Sequence, residues 1–252
     1  MKEFFRTYYS PSNASIAIVG DFNPAEAKSL VERYFGPLLP GPQKAPVTAQ
    51  TTPLKQEVRE VLHDQVQLTK VILGWVGPRP LEVPAMPILM RVLAGGKSSR
   101  LYHDLVYRQK VAQDVSASWD PAMALGGLIE ITATVQAGHT PQEVEQALLA
   151  ELKRLREEPV DAAELARARR NQEATLYAQL ENVGGFGGKA DQLDYYEMWA
   201  HDPGAFRTNL EAVLAASADE VQKAAQAYLR DEQKVALTVL PEAKPAVQGG
   251  AK

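Results

Sequence analysis

Five prolines, at positions 37, 40, 42, 46 and 53, crowd one stretch of this 252-residue chain. Each ring fixes φ and removes a backbone donor, so neither a helix nor a central strand can run through the stretch. It divides the sequence into a short leading part and a long trailing one. The leading part, residues 1–40, reads helix–strand–helix. Residues 2–9 are amphipathic and stop at the turn "SPSN" over 10–13, and "ASIAIVGDF" over 14–22 reads as a buried strand. "NPAEAKSLVERYFG" reads as a helix, with Asn23 as cap, Pro24 in the first position, Glu26 completing a pattern like a capping box and Gly36 at the end. About 50 residues of this kind do not close a hydrophobic core. They read as the tail of a domain that begins upstream. Its strand, residues 16–19, is expected to pair with a sheet from another half, its pairing here incomplete or filled by a neighbouring molecule.

After the proline-rich linker of residues 41–54, hydrophobicity alternates over 55–62 and 65–74, which predicts two strands. Residues 81–95 read as a helix with Pro84 and Pro87 in its first turns, and a second helix follows over 98–109. Strands at 114–120 and 126–136 are joined in hairpin fashion. Four helices come next, with start signals at Thr140–Glu143, Asp161–Glu164 and Ser217–Glu220. "KVALTVLP" then forms a last strand before a Pro/Gly/Ala tail, residues 241–252, expected to be disordered. The order β-β-α-α-β-β-α-α-α-α-β segregates strands from helices. The fold class is therefore α+β, a largely antiparallel sheet with helices packed on one face, over residues 55–240.

Candidate chemistry is sparse. A net charge of −4 with scattered basic residues gives no nucleic-acid footprint, and the absence of cysteine excludes thiolate ligands, disulfides and a cysteine nucleophile. No apolar run approaches the roughly 18 residues of a membrane span. His63, His103, His139 and His201 form neither HExxH nor HxxEH, and no GxSxG occurs. No metal ligand or catalytic residue is assigned on these grounds.

"GGKSSRLYHDLVYRQKVAQDVSASWDP", residues 95–121, is rich in basic, hydroxyl and tyrosine side chains. A phosphate loop fails there, because the position of its first glycine is Arg91. Ser98 or Ser99 reads as a helix cap in preference to part of an anion nest. Glu151, Glu157, Glu158 and Glu164 read as solvated helix faces. "ENVGGFGGKADQLDYY" places Gly184, Gly185, Gly187 and Gly188 around Phe186, at a cost of about 1 kcal/mol of helix stability per glycine. This reads as a packed helix–helix turn with Phe186 as its plug, ahead of a moving element.

Two stretches carry a resemblance. "FFRTYYSPSNASIAIVGDFNPAEAKSLVERYFGPLLPG" resembles the end of the first domain of insulinase/pitrilysin-type zinc metallopeptidases, where a Y-x-P-x-N run leads to a GD turn and a helix ending Y-F-G. "GGKSSRLYHDLVYRQKVAQDVSASWD" resembles their second, homologous domain in the processing-peptidase-like branch, and "GGFGGKADQLDYY" and "VALTVLP" fit in the same order. The resemblance implies a chain of two similar halves, paired to enclose a chamber for extended peptides. Zinc would sit in the first half, on an inverted HxxEH and a distant Glu upstream of Met1, so no cofactor is expected in this chain.

In some members the second half supplies an Arg and a Tyr seven residues apart. Those positions fall here at Val106 and Gln113, with Tyr107 and Arg108 nearby but pointing elsewhere. Ser99, Arg100, Tyr102 and Gly184–Gly188 with Phe186 are then structural candidates for the chamber wall. The expected partners are the chain's own N-terminal half, a homologous subunit carrying the Arg/Tyr pair, and an extended peptide. The expected function is the non-zinc-binding part of a zinc metalloendopeptidase, inactive alone, and the alternative is a scaffold subunit of the same fold. The branch is often exported, which favours a bacterial periplasm over cytoplasm.

Overall fold

Residues 1–42, 51–121 and 125–242 are described by a computed structural model. The chain forms two compact units, one from Met1–Ala49 and Glu173–Ala212, the other from Gln50–Gln172 and Val213–Lys252.

The larger unit holds five strands, β1 (Val58–Asp64), β2 (Lys70–Gly77), β3 (Ala112–Asp120), β4 (Gly127–Val135) and β5 (Val235–Pro241), in the order β1-β5-β2-β4-β3. β1 runs parallel to β5 and every other pairing is antiparallel. The α+β sheet read from the sequence is therefore present. β2 shows why one face is covered. Val71, Leu73 and Trp75 are buried while Ile72, Gly74 and Val76 between them are not, the period-two signature of a half-covered sheet.

On the covered face pack α3 (Met86–Ala94), α4 (Pro141–Glu157), α8 (Ala218–Tyr228) and a π-helix over Tyr102–Arg108. Leu89 and Leu93 of α3, Leu148, Leu152 and Leu155 of α4, and Ile129 and Ile131 of β4 are wholly buried there. The capping boxes at Thr140–Glu143 and Ser217–Glu220 are both formed, and Glu164 N donates to Asp161 Oδ1 at 2.8 Å.

The smaller unit takes α1 (Lys2–Tyr8), a 3₁₀ turn at Pro11–Asn13, α2 (Pro24–Phe35), the part of α5 (Ala162–Leu180) from Glu173 on, α6 (Lys189–Ala200) and most of α7 (Ala205–Ala215). Asn23 Oδ1 caps α2, accepting from Ala25 N at 2.9 Å and Glu26 N at 3.4 Å. Neither α1 nor α2 buries a residue. Tyr196 is the one large apolar side chain this unit buries among the described residues, edge-on to Phe206 with its hydroxyl accepting from Asn209 Nδ2.

Several expectations are corrected. Residues 14–22 form no strand among the described residues, and Ile16 and Ile18 are exposed. An extended run becomes a strand only when a ladder partner is supplied, and none pairs with it among the described residues. The first two strands lie at Val58–Asp64 and Lys70–Gly77, C-terminal to the alternation read for them. The helix expected over 98–109 is mostly π-helical, with Gln109 N bonded to Asp104 O at 2.9 Å. Five helices, not four, separate β4 from β5, because the glycine cluster ends α5 and starts α6. The linker core, residues 43–50, and the tail, residues 243–252, lie outside the described residues.

Candidate functional site

The stretch over 95–121 is built outward from Leu101 and Leu105, both fully buried. Gly96, at φ +122, turns the chain out of α3 in a conformation that favours glycine. Ser99 is buried, and its hydroxyl donates to Gly96 O at 2.6 Å. The expected cap is therefore corrected: the Ser99 hydroxyl closes the turn before the helix and does not accept from the helix's own N–H groups.

Arg100 follows and meets Glu164 at the start of α5. Its Nε and Nη2 donate to the two carboxylate oxygens at 2.8 and 2.9 Å, and each side chain is 9% exposed. This bidentate fork is strong and directional. Burial works against the Arg100 charge, but the Glu164 bonds together with the charges of Glu164, Glu151 and Glu158 leave its pKa raised.

Further along the π-helix, Tyr102 and Val106 are half-buried against the core. Asp104 is buried and accepts from Arg108 and from Gln109 Nε2, while Tyr107 is exposed. Lys110, at φ +58, ends the turn, and Gln113 is an exposed extra residue in β3. The ladder steps from Ala112 opposite Val135 to Asp114 opposite Thr134, so Gln113 bulges. Val106 and Gln113 thus lie on neighbouring elements of one unit; Val106 has no side-chain donor for a carbonyl oxygen, and Gln113 has no acidic phenol.

The carboxylates need a second correction. Glu157 and Glu158 are exposed as expected, but Glu151 and Glu164 are buried, at 4% and 7%. Glu151 falls in helical phase with Val144, Leu148 and Leu155 on the apolar stripe of α4, a signal the sequence contained. Its Oε1 lies 3.1 Å from Arg154 Nη1, while its Oε2 is buried with no hydrogen bond. Burial pushes the Glu151 carboxyl up, Arg154 pulls it back, and the charge of Asp104 adds to the rise.

Gly184–Gly188 belong to the other unit. Gly185 and Gly187 both have positive φ, and Gly187 N donates to Asp191 Oδ2 at 2.7 Å. Phe186 is fully exposed, at 104%. It is no plug: two left-handed glycines project the ring outward at the apex of the turn.

No group of three metal-ligating side chains exists among the described residues, and no described helix is long and apolar enough to cross a membrane. A cavity of about 200 Å3 opens at one end of the sheet, between the C-terminal end of β2, Leu125 and Gly126 ahead of β4, and Tyr228 at the end of α8.

The larger unit is thus an α+β domain whose mostly antiparallel sheet is covered by helices on one face. Residues 1–172 match the Peptidase M16 inactive domain, and the chain belongs to that family. It is 27% identical over 250 residues to the zinc protease PqqE of Helicobacter pylori, a match that covers 96% of this chain and 54% of that protein. The chain therefore spans about half the length of its curated relative. In fold it is similar to a protease from Helicobacter pylori (TM-score 0.82, 22% identity, 95% of this chain and 58% of that one). It is equally similar to a peptidase M16 inactive domain from Pseudomonas fluorescens (TM-score 0.82, 18% identity, 97% and 58%). The insulinase-type family read from the motifs is the family found.

Proposed function

We propose that this chain is the non-zinc-binding portion of a zinc metalloendopeptidase. Residues 1–40 end a zinc-bearing first half, and residues 55–240 form the second half-domain that walls the peptide chamber and a subunit interface. The observation that carries the reading is the match of residues 1–172 to an inactive peptidase domain. Two further features support it. The smaller unit leaves Ile16, Ile18, Phe22, Leu30, Tyr34 and Phe35 exposed and buries almost nothing of its own, as a part completed by another polypeptide segment does. By resemblance Val106 and Gln113 fall at the positions where some members carry an Arg/Tyr pair, and this reading places that pair on a homologous partner subunit.

In this arrangement zinc, held by ligands of the first half, would supply Lewis-acid activation of water there, and none of its ligands would come from the present residues. The present chain contributes shape and exclusion of water. Extended peptides held by backbone bonds give loose sequence preference. The test compares this chain alone with the same chain joined to its zinc-bearing half, with and without a homologous Arg/Tyr subunit. Alone it should hold no stoichiometric zinc by metal analysis and leave a fluorogenic peptide uncut, and full activity should require all parts. Tight zinc in the isolated chain overturns the reading. A joined protein whose first half has a degenerate HxxEH and no activity identifies a scaffold subunit instead.

A further inference from the structure

We propose that the cavity at the end of the sheet, lined by Pro53, Val76, Pro78, Leu125 and Tyr228, binds one uncharged aliphatic or aromatic side chain of an extended peptide. Its volume, about 200 Å3, far exceeds the roughly 10–15 Å3 that one water needs. It suits a leucine- or phenylalanine-sized group.

The walls come from four separate segments and are held from within. Thr51 donates to Leu125 O from both its backbone N, at 3.0 Å, and its hydroxyl, at 2.7 Å. Gly126, at φ +138, permits this: a Cβ there would lie 2.3 Å from Thr51 Oγ1. Trp119 Nε1 donates to Pro78 O at 3.2 Å and fixes the opposite side.

Charge sets the ligand class. Arg79 and Glu82 in the lining satisfy each other, through Arg79 N and Nε at 2.8 and 2.7 Å from the carboxylate oxygens. The lining therefore offers no unspent charge to an acidic or basic group. Tyr228 donates to nothing among the described residues. Burial, and then the charge of Glu82, hold its hydroxyl above its ordinary pKa, so it stays protonated. An apolar body with a carbonyl beside it, as in a peptide residue, answers both features.

The choice of a peptide rests on the function proposed above. The binding test uses neither zinc nor proteolysis, so the two can fail separately. Trp119 is the optical reporter, with Trp119→Phe as the control that removes the signal. N-acetyl-L-leucinamide, titrated into the 252-residue chain, should give a saturable fluorescence change with a Kd on the order of 1 mM for a ligand of its size. N-acetyl-L-lysinamide and N-acetyl-L-glutamic acid amide should bind at least about tenfold more weakly. Leu125→Trp should abolish binding, and Tyr228→Phe should weaken it about three- to tenfold. No saturable signal, equal binding of the charged probes, or indifference to either substitution overturns the proposal.

Discussion

Glu164 and Arg100 show what one side chain carries in this fold. Both are buried, and the pair ties the start of α5 to the segment that leads into the π-helix. Removing one member leaves the other as an uncompensated buried charge. Glu164→Gln should therefore cost about 3–5 kcal/mol in urea unfolding, while the double change Arg100→Met, Glu164→Leu should recover most of it. Additive losses in that cycle would show that the pair is not coupled. Glu151 behaves in the opposite sense. Its folded pKa is raised by burial, Arg154 opposes the rise, and Asp104 adds to it against the nearby charges of Arg100 and Arg108. A raised carboxyl stabilises the fold fully below its unfolded pKa, about 4.3, and that contribution is lost as pH climbs through the folded pKa. The difference in Tm between Glu151→Gln and the parent should thus grow in the variant's favour from about pH 4 to about pH 7. A pH-independent difference would mean that folding leaves the pKa of this carboxyl unchanged.

Among the elements, the glycine turn and the π-helix break regular structure for different reasons. The turn needs φ +79 and +78 at Gly185 and Gly187. Alanine at either should cost about 1–2 kcal/mol, and more at Gly187, where a Cβ would meet Gln179 Nε2 at 3.2 Å. Phe186→Ala should change stability by less than about 0.5 kcal/mol, as for other exposed side chains. A buried plug would lose about 3–5 kcal/mol, so a thermal melt separates the two readings. The π-helix widens to keep Leu101 and Leu105 in the core while Asp104 collects Arg108 and Gln109. Gln113→Tyr should be tolerated, since the bulge is exposed, whereas Val106→Arg must desolvate a guanidinium against the core face.

At the scale of the whole molecule, the two units differ in what holds them. The larger has a continuous core drawn from all four packed helical segments and the sheet, while the smaller has Tyr196 and little else. If the extended run through Ile16 and Ile18 is completed by a strand of the zinc-bearing half, adding that half should suppress binding of an environment-sensitive hydrophobic dye. Ile16→Lys with Ile18→Lys should prevent the association. Dye binding unchanged by the added half would place the contact elsewhere.

Periodicity and end signals were legible from the residues themselves. Alternation announced the half-covered strands, and Thr140–Glu143 and Ser217–Glu220 announced two helix starts, because these depend on interactions within a few residues. The motifs at residues 4–41 and 95–120 announced the family for a related reason: they preserve local turns and caps. Other features rest on partners distant in the chain. Whether residues 14–22 form a strand depends on a ladder partner, and whether Phe186 is a plug or an apex depends on what lies above it. Glu151 and Glu164 carry the residue type of a solvated face, yet Arg100, 64 positions from Glu164, makes burial of one of them tolerable. The sequence by itself determined most strands and helix starts of the larger unit, and the lineage. The tertiary structure decided which charges are buried, which ladder is left open and where a cavity forms, because each of these is set by atoms that meet only after the chain has folded.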